Sequence, residues 1–179
     1  MQLLRETHGI EPVCYFYNPN IHPLFENERR RDFVLQFAAK KGLDLIVKDG
    51  CDEAKWRGFP SNQKADHCGI CYASRFYDSC RYAAEHGYKA FTSTLFVSPY
   101  QDTERMRVIA SRCCRVFGLT FLDIDFRSGY RQGQEMARAD GLYRQRYCGC
   151  IYSLGESNFR ARILNEVGLT AADLPDRSV

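Results

Sequence analysis

The 179-residue chain lacks most of the features that would place it in a special class. No apolar run approaches the ~18 residues of a membrane-spanning helix, so nothing in it reads as a transmembrane segment. Proline is scarce at 6 and glycine modest at 13, which excludes collagen-like and low-complexity composition. Neither sign of charge dominates: 25 Lys and Arg against 22 Asp and Glu leave +3, too little to imply a partner by itself. The opening MQLLRETHGIEP has no charged, apolar and small-residue succession of a secretory signal, so a cytoplasmic location is expected. No Gly-rich phosphate loop is present, and a tightly held dinucleotide is not indicated. There is no internal repeat.

What is present is a folded chain of one domain, 45% hydrophobic, with nine cysteines. Four short β-rich runs stand out at 12–17 (PVCYFY), 43–47 (LDLIV), 90–95 (AFTSTL) and 119–124 (LTFLDI). Between them, 26–41, 71–86 and 103–117 carry apolar residues at i, i+3, i+4 and i+7, the mark of helices with one buried face. Gly42, Gly87 and Gly118 follow these three helices, where a left-handed cap is wanted. Alternating strands and helices predict an α/β Rossmann-like domain whose four runs form one parallel sheet covered by helices. That domain is expected to span 1–150, with a Cys- and Arg-rich extension from 125 to 150. Residues 151–179 read as a polar tail with one helix around 159–167. The opening 2–6 resembles the last turns of a helix, and parallel strands need crossovers. The fold is therefore expected to begin one strand late, leaving a poorly covered place in the sheet.

With no export signal the cytosol would keep the cysteines reduced, so clustered ones point to metal or redox chemistry. Cys68 and Cys71 form a C-x-x-C where a loop is expected to become a helix, and a helix N-terminus lowers thiolate pKa. Cys148-Gly149-Cys150 is the second pair, with a glycine that frees the backbone between the sulfurs. The pairs lie 77 positions apart, from Cys71 to Cys148, which does not match zinc-ribbon spacing. An iron–sulfur site, a redox dithiol and a split metal site all remain open. Cys80, Cys113 and Cys114 fall on or beside apolar helix faces, Cys14 lies in a strand, and Cys51 reads as a surface thiol.

Loops at the carboxyl ends of parallel strands bind ligands in α/β proteins. The loop after the first run offers Asn18, Asn20 and His22, stiffened by Pro19 and Pro23, and Ser98 and Tyr100 hold the equivalent place after the third. His67 reads as a solvated residue, and His8 and His86 as helix-end residues. Between 126 and 150, Arg127, Arg131, Arg138, Arg144 and Arg146 face only two acids and are interleaved with aromatic rings. Arginine with aromatics is how proteins hold phosphates and stack unpaired bases. Arg29, Arg30 and Arg31 read as a second basic cluster. For each of these a solvated helix face is the plainer alternative.

Five motifs in order, FYNPNIHP, CGICYASRF, TSTLFVSPY, FRSGYRQGQEMA and GLYRQRYCGCIYS, resemble the QueH type of epoxyqueuosine reductase. The resemblance runs from about Val13 to Ser153. It implies a cytoplasmic bacterial oxidoreductase that reduces the epoxide of epoxyqueuosine to queuosine at the wobble position of tRNA. It implies a [4Fe–4S] cluster, with an additional metal centre (iron) or a redox dithiol beside it, and an external electron donor. Carried over by motif, Cys68 and Cys71 match cluster ligands and Cys148 and Cys150 the second pair. Asn18, Asn20, His22, Arg75, Ser98, Tyr100, Arg127, Arg131, Arg144 and Arg146 fall in the matched motifs as substrate and RNA residues. The family opens with a strand ending in adjacent cysteines, whereas no cysteine here precedes Cys14. The competing expectations are a non-catalytic RNA-binding domain held by structural zinc and an inactive family member kept as a scaffold.

Overall fold

A computed structural model describes residues 1–57 and 64–175. Strand β1 (Cys14–Tyr17) pairs in parallel with β2 (Leu45–Lys48), Cys14 opposite Leu45 and Tyr17 opposite Lys48. Strand β3 (Ala90–Phe91) pairs in parallel with β4 (Thr120–Phe121). Each parallel step needs a crossover. Helix α2 (Leu24–Lys41) joins β1 to β2, and α5 (Thr103–Val116) joins β3 to β4. The short α3 (Glu53–Arg57) and the long α4 (Lys64–Glu85) lead from β2 to β3. Helix α1 (Gln2–His8) precedes β1 and buries Leu4.

The α/β class and the parallel pairing hold, but the strands form two separate pairs rather than one sheet. The third run supplies only Ala90 and Phe91 because the chain then curls away. The Ser93 hydroxyl accepts the Leu95 N–H at 3.2 Å, capping a 3-10 turn over Thr94–Val97 that buries Phe96. Helix α4 packs against both β1 and β3 and joins the two pairs. The sheet-like continuity read from the sequence is carried here by a helix.

The apolar core lies between α4 and α5. Tyr72, Phe76 and Cys80 recur every fourth residue on α4 and meet Met106, Ala110 and Cys114 of α5. Phe76 stacks on Phe96 at 6.2 Å and meets the edge of Phe91 at 5.6 Å. The predicted caps hold: Gly42 closes α2 at φ 59°, and Gly87 and Gly118 also adopt the left-handed region. Cys80, Cys113 and Cys114 are buried as expected. Cys51 is not a surface thiol; it is half-buried, donates to the Ile21 carbonyl at 3.2 Å, and burial pushes it up to about 11.

After β4, α6 (Tyr130–Ala139) leads to α7 (Ile151–Gly155) and α8 (Arg160–Glu166). The stretch beyond 150 is not simply polar. Ile151, Tyr152, Leu154, Ile163 and Leu164 form a second buried cluster, with Tyr147 and Cys150 packed against it. Apolar residues spaced over two short helices give no long stripe, which is why the pattern escapes a periodicity reading.

Candidate active site

Helix α4 begins by Lys64, so Cys68 and Cys71 lie one turn apart inside it rather than at its start. The expected help from a helix N-terminus is therefore lost for Cys71. Burial instead pushes its thiol up, while Arg75 and a hydrogen bond from Asn20 pull the other way. Asn20 Nδ2 donates to Cys71 Sγ at 2.8 Å. Its Oδ1 accepts from Arg75 Nη2 at 2.7 Å and Nε at 3.0 Å. A guanidinium only donates, so it fixes the carbonyl side of the amide on itself and turns the NH₂ group toward the sulfur. Arg75 sits four residues beyond Cys71, on the same face of α4. Asn20 is buried at the carboxyl end of β1, which is how this loop reaches a cysteine 51 positions away.

The second pair is held by the same loop and by α2. Gly149 has φ 115°, and a side chain there would crowd Ile21 Cγ1 at 2.8 Å and Arg30 Nη1 at 3.1 Å. Only glycine suits both the backbone and the space. Its carbonyl accepts the His22 N–H at 2.8 Å, and the Tyr147 hydroxyl donates to the His22 carbonyl. Arg30 donates to the carbonyls of Tyr147 at 2.9 Å and Cys148 at 3.0 Å, and to Gln145 Oε1 at 3.1 Å. Buried Glu26 neutralises Arg30 through Nε at 2.7 Å and accepts the Tyr143 hydroxyl at 2.8 Å. Arg30, Glu26 and Tyr143 thus form a clamp on the chain entering Cys148. The sequence reading missed it, although Glu26 and Arg30 at i and i+4 were a visible signal.

Cys148 is exposed and donates to Ser153 Oγ at 2.9 Å. Cys150 is pushed up to about 12, first by burial and then by Cys148, with Cys71 also acting on it. Cys148 in turn raises Cys71, and the Tyr72 hydroxyl senses Cys68, Cys71 and Cys148 alike. The loop Asn20–Ile21–His22 links the two cysteine segments across 77 positions of sequence, counted from Cys71 to Cys148: Asn20 bonds Cys71, and the His22 N–H bonds the Gly149 carbonyl at 2.8 Å. Among the described residues, no three His, Cys, Asp or Glu side chains stand together as a ready-made metal cage. The donor chemistry nevertheless fits an iron–sulfur group. Thiolates are the soft donors such a group takes, and Cys71 Sγ already accepts the kind of N–H bond that tunes cluster sulfur.

The remaining expected residues separate. Asn18 serves through its carbonyl, which accepts Asn27 Nδ2 at 2.8 Å. His22 is fully buried, neither ring nitrogen has a partner among the described residues, and burial pulls it down to about 4. Ser98 accepts the Tyr100 N–H at 3.3 Å and shapes a turn. Tyr100 stands 81% exposed, its ring 6.1 Å from Tyr130. Arg131 and Arg144 are exposed. Arg127 is paired with Asp125, which it draws down to about 2. Arg146 is tied to Glu166 at 3.1 Å, so it does not stand free for phosphate.

The expected basic cluster at 29–31 is absent. Consecutive helical residues point about 100° apart, and each arginine is drawn into ion pairs. Arg29 joins Glu166 and shares Glu26 with Arg30, while Arg31 joins Asp32 and Asp49. His67 is not solvated; it is buried one turn before Cys71, its ring 4.1 Å from Tyr152. His86 does sit at a helix end, against the Tyr82 carbonyl at 2.8 Å.

A sequence model of the family Epoxyqueuosine reductase QueH matches residues 1–156. The chain is 34% identical over 148 residues to the epoxyqueuosine reductase QueH of Dehalococcoides mccartyi, covering 83% of this chain and 81% of that protein. It is 31% identical over 158 residues to the one from Thermotoga maritima, covering 83% and 82%. With the Haemophilus influenzae protein it shares 34% over 158 residues, 84% of this chain but 64% of the longer relative.

Proposed function

The chain belongs to the epoxyqueuosine reductase QueH family, and from that premise we propose that it reduces the epoxide of epoxyqueuosine in tRNA to give queuosine. The reaction breaks both C–O bonds of the epoxide and forms one C=C bond. The oxygen leaves as water after taking two electrons and two protons. The observation that carries this reading is the Arg75–Asn20–Cys71 relay, held by the same loop whose Ile21 and His22 pack on and bond to Gly149 of the Cys148-Gly149-Cys150 turn.

Cys68 and Cys71 would hold a [4Fe–4S] cluster, and Cys148 and Cys150 either a further iron or a dithiol. When bound, such a group supplies electrons and an open metal position for the epoxide oxygen. The protein's own part is positional. Asn20, fixed by Arg75, directs an N–H at Cys71 Sγ and so stabilises negative charge there. The clamp of Glu26, Arg30 and Tyr143 fixes the carbonyls ahead of Cys148. If Cys148 and Cys150 act as a dithiol, their oxidation to a disulfide releases the required two electrons and two protons. An external donor then reduces them again.

For the RNA, exposed Tyr100 beside Tyr130 offers a stacking platform, with Arg131 and Arg144 nearby in sequence to hold phosphates.

The test is anaerobic reconstitution with iron and sulfide, followed by nucleoside mass spectrometry of tRNA carrying epoxyqueuosine. Conversion to queuosine by the wild type, lost in Cys71→Ala and Cys148→Ala, supports the reading. Stable zinc with no conversion would favour a structural metal site instead, and no metal at all an inactive scaffold. Asn20→Ala should keep the fold but lower activity about 10- to 100-fold, the usual cost of removing a group that orients a ligand.

A further inference from the structure

The outward face of α5 carries a line of arginines that neither the core nor the cysteine site uses. Arg105, Val108, Arg112 and Arg115 fall at i, i+3, i+7 and i+10, one face of the helix. Their Cα positions span about 15 Å at 1.5 Å per residue. Two grooves run along this face, of about 430 and 360 Å³, and share Val108 and Arg112 as their common wall. Both have the volume of small-ligand sites, yet they are open and lined by arginine.

The line ends at the turn of α4 that carries Cys68 and Cys71. The Arg105 guanidinium lies against Gly69, between Cys68 and Cys71, so closely that a methyl group there would overlap it. At the far end, Arg112 and Arg115 are exposed and have no ion-pair partner among the described residues. The acids facing this surface are Asp66 in the first groove and Asp123 in the second, with Glu104 on α5 itself. Asp123 and Glu104 are both taken by Arg107, at 2.8 and 2.6 Å. That leaves Arg112 and Arg115 as a surplus of positive charge on this face.

We propose that this face of α5 is a track for the sugar–phosphate backbone of the RNA substrate, running along the two grooves to the Asp66–Ile70 turn of α4 beside the cysteine-bearing segment. The proposal rests on the reading of the chain as a tRNA-modifying enzyme and adds the route by which the strand is held. A polyanionic backbone is the occupant because repeated guanidinium groups along one line match repeated phosphates. The shared apolar wall at Val108 suits the sugar edges between them.

The test uses the full chain and a synthetic anticodon stem–loop RNA, with dissociation constants measured across a potassium chloride series. Arg112→Gln with Arg115→Gln removes two exposed groups that support no core contact, so the melting temperature should not move. Binding should weaken about tenfold or more, and the slope of log K against log salt should fall by about one to two units. Gly69→Ala, which displaces Arg105, should weaken binding by a smaller factor with the slope changed by less than one unit. An unchanged slope in the double variant, with the wild type still binding RNA and converting tRNA, overturns the track and leaves the enzymatic reading intact. Failure of the wild type to bind the stem–loop at low salt overturns both.

Discussion

The two parallel strand pairs are held by different physics. Around β3 and β4 the chain is closed by apolar packing: Phe76, Phe96, Met106 and Ala110 are all at most 1% exposed and fill the space between α4 and α5. No residue of any of the four strands is fully buried, so the difference lies in what packs beside them, and around β1 and β2 polar contacts do the joining. Asp78 of α4 accepts the Tyr15 hydroxyl at 2.8 Å and pairs with Lys48 and Arg81. Burial pushes the Asp78 carboxyl up, but those three partners outweigh it and hold it below its ordinary value. The Glu26–Arg30 pair then ties the β1 side to the segment before Cys148. The cysteine site lies on the seam, with Cys68 and Cys71 on the helix of the packed side and Asn20 and the Cys148 turn on the hydrogen-bonded side.

The largest test of this contrast is to damage each side in its own currency. Phe76→Ala should remove about 3–5 kcal/mol of stability, because a buried ring is lost and a cavity remains. Tyr15→Phe on the other side should cost about 1 kcal/mol, one hydrogen bond with no cavity. Denaturant unfolding measures both, and equal losses would show that the two sides are not held differently.

Next in size is the clamp. Glu26→Gln leaves the Arg30 charge buried without its carboxylate, a change that costs about 3–5 kcal/mol where the charge stays in place. The damage should be local first. Amide exchange should accelerate at residues 143–150, which hang on Arg30 and Tyr143, while Phe76 and its neighbours keep their protection. Uniform acceleration would mean that the clamp supports the whole fold and not the seam.

The contrast also explains what the sequence alone discloses. Helices that pack on the core are legible from apolar periodicity, as in α5 and the 71–85 part of α4, with the glycine caps and the buried Cys80, Cys113 and Cys114. Helix α2 stands where its stripe puts it but buries Glu26, Asn27, Arg30 and Ala38 rather than an apolar face, and α4 already runs from Lys64. The two cysteine pairs and Asn20 stand out in the sequence as unusual residues in clusters or in a rigid loop, and the fold puts Asn20 on Cys71 at 2.8 Å. Polar partnerships are not. Nothing in Arg29-Arg30-Arg31 says that all three are taken up by carboxylates, and Arg146 reads as a phosphate ligand until α8 brings Glu166 to it. The break between the strand pairs is equally hidden, since AFTSTL has strand propensity and only the Ser93 cap turns it into a 3-10 helix. Buried His67 and the 151–164 cluster escape for the same reason: their burial comes from a distant helix, not from local pattern.

Acid sharpens the hydrogen-bonded side further. Hydrogen bonds from Arg146 and then Arg29 draw Glu166 down to about 2 from an ordinary value of 4.5. A carboxylate with a depressed folded-state pKa stabilises the fold above its unfolded-state value, and this contribution is lost as pH falls toward the folded one. The contribution is therefore full above about pH 5 and fades between about 4.5 and 2. Glu166 is partly exposed, so the effect should be modest and reduced by salt. Thermal unfolding of Glu166→Gln should show a flatter pH dependence in that window than the wild type. Parallel curves would mean that α8 is not held to α2 through this carboxylate.

The smallest expected effect separates two arginines that look alike in sequence. Arg144 is exposed, whereas Arg146 spends its charge on Glu166 at 3.1 Å and lies 5.9 Å over the Phe159 ring. If both held phosphates, removing the pair would lower the salt slope of RNA binding by about two units. The pairing predicts otherwise. Arg144→Gln should lower the slope by about one unit, and Arg146→Gln should leave it unchanged while loosening α8. The double variant should then match Arg144→Gln in slope and Arg146→Gln in melting temperature. A two-unit drop in the double variant would show that RNA takes Arg146 from Glu166 on binding, which would make the contact between α8 and this segment part of substrate recognition.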